Sequence, residues 1–252
     1  MATQVSQAQP GGLRFEDSPK WVRTRLGSVD LADSKRPRLV WEPRRVVPVY
    51  AFPEEDVRMD LLRPSDRPDP EAHEGTASRF WALAGGGDDY VAWAYDDPDL
   101  ADYVAIRWDA TDAWYEEDER VLGHPRDPFK RIDVRQSSRH VRVEVDGHAL
   151  ADTRLARLLF ETGHPTRYYL PPEDVRRDLL RPSPSTSFCA YKGQASYWSA
   201  SVGDRAFADI AWTYRDPLPD NDQIRDLVCF FNEKVDLYVD GESVTRPETQ
   251  WS

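Results

Sequence analysis

The chain has 252 residues and a formal net charge of -12; 40% of it is hydrophobic, with nine tryptophans and two cysteines. So acidic a balance argues against a nucleic-acid partner, since phosphate-backbone binding takes a basic stripe that releases counterions. No apolar run approaches the ~20 residues that span a bilayer, and residues 1–18 lack the apolar stretch of a signal peptide. The expectation is a soluble, cytoplasmic protein with no membrane partner, in which Cys189 and Cys229 are free thiols.

The elements come in two copies. Glu55-Asp-Val-Arg-Met-Asp-Leu-Leu-Arg-Pro-Ser65 returns as Glu173-Asp-Val-Arg-Arg-Asp-Leu-Leu-Arg-Pro-Ser183 with one change. Leu31-Ala-Asp-Ser34 matches Leu150-Ala-Asp-Thr153, Trp41-Glu42 matches Phe160-Glu161, and Ala92-Trp-Ala-Tyr-Asp-Asp-Pro98 matches Ala211-Trp-Thr-Tyr-Arg-Asp-Pro217. The spacing far exceeds the roughly 20–50 residues of a solenoid repeat and reads as two domains. The polar residues 1–18 are expected to be a disordered tail, and 19–121 a degenerate first repeat. Residues 122–139 form a linker stiffened by Pro125 and Pro128, and 140–246 a second repeat. His124, Arg126 and Asp127 of the linker are placed to contribute to a cleft.

Within the second copy, residues 140–147 alternate apolar and polar and end on Asp146-Gly147, a strand entering a hairpin. Residues 149–153 and 166–170 read as further strands. A helix is expected from Pro171 to Leu180, ended by Pro182. Three antiparallel strands follow over 185–191, 193–202 and 206–214, then a second helix over 221–231 capped by Asp220 or Asn221, and a closing strand over 235–239. The fold class is mainly β with short helices, a β-rich α+β arrangement of two similar twisted-sheet or half-barrel domains in tandem.

Thr186, Cys189, Lys192-Gly193, Ala195, Tyr197-Trp198, Ala211-Trp212, Tyr214 and Asp216-Pro217 together resemble the bacterial domain-of-unknown-function family numbered 427, in its tandem form, from about Trp21 to Glu242. The resemblance implies a β-rich fold per copy and brings with it a nucleotidyltransferase label. That chemistry takes two or three carboxylates holding metal ions beside a Gly-rich loop. Gly27-Ser28 has no following acid pair on a strand, and Gly85-Gly86-Gly87 runs into Asp88-Asp89 rather than into a helix.

Two readings of function remain. In the first, a small molecule of unknown identity is held by an aromatic and cationic pocket in the second repeat or between the repeats, with Arg167, Tyr169, Tyr197 and Trp212 as ligand-binding residues. In the second, Cys189 is a catalytic nucleophile whose thiolate is favoured by Lys192, with Tyr197 assisting. The plainer alternatives are that Cys189 is a small buried apolar residue and Lys192 a surface turn residue. Likewise Trp-x-Tyr, present in both copies, packs the core. In the first copy this region reads Glu71-Ala-His-Glu-Gly75, where His73 is expected to be a solvated loop residue, or else to serve with Glu74 in a different site. Arg44, Arg45 and Arg167 are candidate anion holders or strand-edge charges, and residues 116–119 a solvated acidic run. No cofactor and no metal are expected, because the cysteines are far apart and the histidines unpaired.

Overall fold

The computed structural model describes residues 12–43, 45–65, 73, 76–249 and 251–252. The chain divides into two compact units, residues 1–127 and 128–252. The first contains β1 (Arg14–Asp17), β2 (Val22–Leu26), β3 (Val29–Ser34), β4 (Arg38–Trp41), β5 (Val49–Pro53), β6 (Leu62–Pro64), β7 (Ala77–Leu83), β8 (Ala92–Tyr95), β9 (Tyr103–Ile106), β10 (Ala113–Glu116) and β11 (Glu119–Val121). The second contains β12 (Ile132–Gln136), β13 (Val141–Val145), β14 (His148–Thr153), β15 (Arg157–Glu161), β16 (Arg167–Leu170), β17 (Leu180–Cys189), β18 (Gly193–Val202), β19 (Arg205–Pro217), β20 (Val228–Phe230), β21 (Asp236–Val239) and β22 (Glu242–Val244).

Both units wire these strands identically. A seven-stranded sheet runs β1-β4-β5-β9-β8-β7-β6 in the first and β12-β15-β16-β20-β19-β18-β17 in the second; a four-stranded sheet runs β11-β10-β2-β3 and β14-β13-β21-β22. Every strand pair is antiparallel, and neither sheet closes into a barrel. The hairpin expected after residues 140–147 is present. Asp146 and Gly147 take φ of 53° and 73°, and Asp240 and Gly241 take 54° and 85°, the left-handed pairs that two-residue hairpins need.

Strand alternation gives each large sheet two apolar faces. In the second unit Leu158, Leu170, Val228 and Phe230 point toward the small sheet, where they meet Val141, Leu150 and Leu237. Their neighbours Leu159, Tyr169, Cys229 and Phe231 point the opposite way, into an outer cluster with Trp212 and Tyr214 that Ile132 and Val134 of β12 help to cover. The first unit repeats this: Tyr50, Phe52 and Val104 face inward, and Val40, Ala51, Trp93 and Tyr95 outward beneath Leu13 and Phe15 of β1.

Several expectations are corrected. Arg14–Asp17 is not tail but an edge strand paired to β4, while residues 1–11 lie outside the described residues. Ile132–Gln136, assigned to the linker, pairs with β15 and belongs to the second sheet. The helix expected from Pro171 is two single 3-10 turns, Pro172–Asp174 and Arg177–Leu179. Val175 between them is extended, bridges to Ala151 and buries its side chain between the sheets. The helix expected over 221–231 is a 3-10 turn, Pro219–Ile224, followed by strand β20. There the apolar period is two, since Val228 and Phe230 face one cluster and Cys229 and Phe231 the other. Asn221 donates its amide to the Tyr191 carbonyl at 2.9 Å rather than capping a helix.

Candidate functional site

Just past β4, and at the end of β15, the large sheet of each unit presents a glutamate to its outer face, Glu42 buried and Glu161 half-buried with its side chain 9% exposed. Strand register makes Glu42 and Glu161 equivalent, because Phe15 pairs with Val40 and Val134 with Leu159. Around Glu42 the indole of Trp93 and the hydroxyl of Tyr95 donate to Oε1 at 2.9 and 2.8 Å. The Arg45 guanidinium sits at 2.5 Å from Oε2 and the His73 Nδ1 at 3.5 Å from Oε1. Burial alone would raise the Glu42 pKa; the nearby His73 ring and the charge of Arg45 hold it below the ordinary range. His73, expected to be a solvated loop residue, is 1% exposed and packs on Phe80, Tyr90 and Trp93. Arg44 and Glu74 lie outside the described residues.

Around Glu161 the partners are ammonium groups. Lys192 Nζ donates to Oε2 at 2.5 Å and Lys130 Nζ lies 2.9 Å from Oε1. Lys130 also lies 2.9 Å from His164 Nε2. Burial pushes the Glu161 pKa up and the two lysines pull it below normal; burial, with the nearby cations, pushes His164 down, so its ring is neutral and accepts from Lys130. Lys192 reaches the carboxylate because the chain turns sharply after it. Gly193 has φ of 96°, and a Cβ there would stand 3.2 Å from the Asp216 carbonyl oxygen.

These placements bear on each candidate. Lys192, read either as an activator of Cys189 or as a surface turn residue, is buried and engaged with Glu161. Cys189 is half-buried at the end of β17, with no hydrogen bond to its sulfur among the described residues. Arg167 is 7% exposed and grips Glu233 through two bonds of 2.7 Å. Tyr169 is sealed at 1% exposure, its hydroxyl accepting from the Trp212 indole at 3.2 Å. Tyr197 stacks on Phe231 and exchanges a hydrogen bond with Ser187. Trp93, Tyr95, Trp212 and Tyr214 are all buried, as the core-packing alternative for Trp-x-Tyr has it. Arg167, Tyr169, Tyr197 and Trp212 therefore do share the outer face, but as a packed cluster. Residues 116–119 are only partly solvated, since Glu116 accepts from Tyr50 at 2.8 Å and pairs with Lys20.

An open cavity of about 260 Å³ lies on the other face of the same sheet. Its walls are the half-buried ring of Trp198, the apolar Pro172, Leu180 and Val228, and the polar Arg177, Thr213, Arg215 and Asp226. The Trp198 indole donates to Thr213 Oγ1 at 3.1 Å, which fixes the ring as a wall, and the Arg177 guanidinium lies 5.8 Å from its centroid. Neither Arg177 nor Arg215 is ion-paired among the described residues. The first unit has Trp81 in the place of Trp198, since each is paired with the proline of its edge strand, but Met59 and Asp96 stand where the second has Arg177 and Arg215. Sequence reasoning missed this cavity, although Trp198 stood in the family pattern; it missed Lys130 and Glu233 as well. Only the Trp41-Glu42/Phe160-Glu161 match hinted at the equivalent glutamates.

No group of three or more His, Cys, Asp or Glu placed to hold a metal ion exists among the described residues. Among the described residues no helix is long and apolar enough to cross a membrane. No curated protein matches the chain. The model of the family described as Domain of unknown function (DUF427) matches it twice, over residues 14–117 and 133–241, so the chain belongs to that family as a tandem of two copies.

Proposed function

We propose that the protein binds a small planar anion in the cavity beside Trp198 of the second unit. The observation that carries this reading is the pairing of a ring wall with Arg177 and Arg215, two guanidinium groups with no carboxylate partner among the described residues in a chain of net charge -12. A flat apolar body fits between Trp198 and the apolar wall, while an anionic group on its rim meets guanidinium groups suited to bidentate capture of a carboxylate or phosphate. Thr213 is held by the indole and keeps the ring from swinging into the space. Asp226 at the rim disfavours a second negative charge on that side of the ligand. The thiol-enzyme alternative draws no support from the geometry, because Lys192 serves Glu161.

The test uses 2-naphthoate as probe, followed by ligand-observed NMR, with the neutral 2-naphthol as control. The naphthoate is expected to bind saturably and the naphthol more weakly. The double variant Arg177→Met with Arg215→Asp, which gives the second cavity the residues of the first, should lower naphthoate affinity at least ~10-fold, as loss of a bidentate charge contact does. Equal binding of both probes, or no effect of the double variant, would sink the reading.

A further inference from the structure

Arg167 uses its edge for Glu233: its two terminal nitrogens donate to the two carboxylate oxygens, each at 2.7 Å. The two faces of the guanidinium plane and the three N–H groups not bonded to Glu233 remain as contact surface. Two indole rings have their centroids 5.5 Å from its central carbon, Trp212 and Trp251. They are held in different ways. Trp212 is 8% exposed and belongs to the outer apolar cluster. Trp251 is 36% exposed, and the rings and cations it meets are the Arg167 guanidinium and the imidazole of His164, 6.0 Å away.

The segment that brings Trp251 is bonded mostly to itself. Trp251 N donates to Thr249 Oγ1 at 3.1 Å, Ser252 N to the Thr249 carbonyl at 3.2 Å and Ser252 Oγ to the Pro247 carbonyl at 3.2 Å. Among the described residues its hydrogen-bonded tie to the rest of the unit is one side-chain bond, Thr249 Oγ1 to Glu233 Oε1 at 2.7 Å. A ring resting on a cation and held by one hydroxyl is a weakly anchored contact. The first unit offers a contrast: Arg45 lies 5.2 Å from the ring of the equivalent Trp93, with no second ring on it among the described residues.

We propose that the free face of Arg167 is a binding slot for flat, electron-rich aromatic rings of the indole type, and that Trp251 is its resident, displaceable occupant. Electron-rich rings are selected because their faces are attracted to the guanidinium. Its edge is locked by Glu233, so the slot does not need to form when the ring arrives. An outside ring competes with Trp251, so an occupancy of about nine-tenths by Trp251 corresponds to a roughly tenfold weaker apparent affinity than that of the empty slot. The slot lies on the opposite sheet face from the Trp198 cavity, and the inference does not rest on that site.

The experiment is a titration of the full chain with indole, read by saturation-transfer NMR. Trp251→Ala is expected to bind indole saturably and about tenfold more tightly than the wild type. Trp251→Phe, which keeps a ring in place, should stay near wild type. Thr249→Val, which cuts the tie and keeps the indole, should fall between the two. Arg177→Met with Arg215→Asp, added to Trp251→Ala, should leave indole binding unchanged, which separates this slot from the cavity. Absence of saturable binding to a folded Trp251→Ala, or equal affinity in wild type, Thr249→Val and Trp251→Ala, overturns the proposal.

Discussion

The same glutamate appears twice, and the two copies neutralise it by different means. Glu42 accepts from an indole and a phenol and is closed off by Arg45 and His73, with its own side chain and that of His73 wholly out of solvent. Glu161 is held by the ammonium groups of Lys130 and Lys192, whose side chains are 21% and 10% exposed. Strand register fixes where the acid falls, whereas its partners arrive from other segments and are free to differ. The first arrangement is a network of rings and a guanidinium; the second sets two ammonium groups on the outer face that carries Arg167 and Trp251. The comparison teaches that symmetry of topology does not carry over into symmetry of chemistry.

The sharpest way to break this contrast is Glu42→Gln. A glutamine at Glu42 sets an amide NH2 among Trp93, Tyr95, Arg45 and His73, all of which need an acceptor. Removing one partner from a buried charged network costs about 3–5 kcal/mol. In the full chain, hydrogen exchange read by mass spectrometry should show the loss in residues 12–121 and leave 132–244 protected. An equal loss of protection in both units would contradict the assignment of this centre to the first unit alone.

Second in size is Lys192→Met. It leaves Glu161 with Lys130 as its remaining close cation, and that contact compensates in part, so the expected loss in the second unit is about 1–3 kcal/mol. Hydrogen exchange over residues 180–217 reads it. A loss as large as that of Glu42→Gln would mean that the lysines form as rigid a centre as the indole and phenol. The same variant also separates the two roles weighed for Lys192: alkylation of Cys189 should be unchanged, since the ammonium serves Glu161.

How far the sequence reaches can be seen in particular residues. The most nearly identical block, Glu55 to Ser65 and Glu173 to Ser183, has an architectural job. Arg58 and Arg176 donate their amides to the Leu31 and Leu150 carbonyls at 2.8 Å, and Ser34 and Thr153 bond Asp56 and Asp174. Arg58 and Arg176 also clasp Asp60 and Asp178. Identity between copies thus marked the clip between the sheets, not a site. The hairpin at Asp146-Gly147 was legible because turn chemistry is local, whereas the strand over 235–239, read as the closing one, is followed across Asp240-Gly241 by β22. The helices expected over 171–180 and 221–231 were misread because a short apolar run fits either period. Arg167 and Tyr169 looked like pocket residues because alternation puts them on one face without saying that the face is packed. Lys130, distant in sequence from Glu161, gave no local signal.

The smallest effect concerns His164, which stands where the first unit has Arg45. Burial, with help from Lys130 and Lys192, holds the folded-state pKa of His164 below its ordinary value. As pH falls through the unfolded-state value, near about 6.5, the unfolded chain takes up a proton that the folded chain refuses. Stability of the second unit therefore declines from pH 7 toward pH 5. The lowered carboxylate Glu161 acts in the same direction but further down, since its contribution is present above the unfolded carboxylate range and is lost as pH falls through its folded value. His164→Asn removes the upper of these two steps and keeps a polar ring-sized group beside Lys130. Urea unfolding at pH 7 and pH 5, followed by hydrogen exchange over residues 132–244, should give a flatter pH response in the variant than in the wild type. An unchanged slope would place the titrating group elsewhere and return His164 to the role of a plain hydrogen-bond acceptor for Lys130.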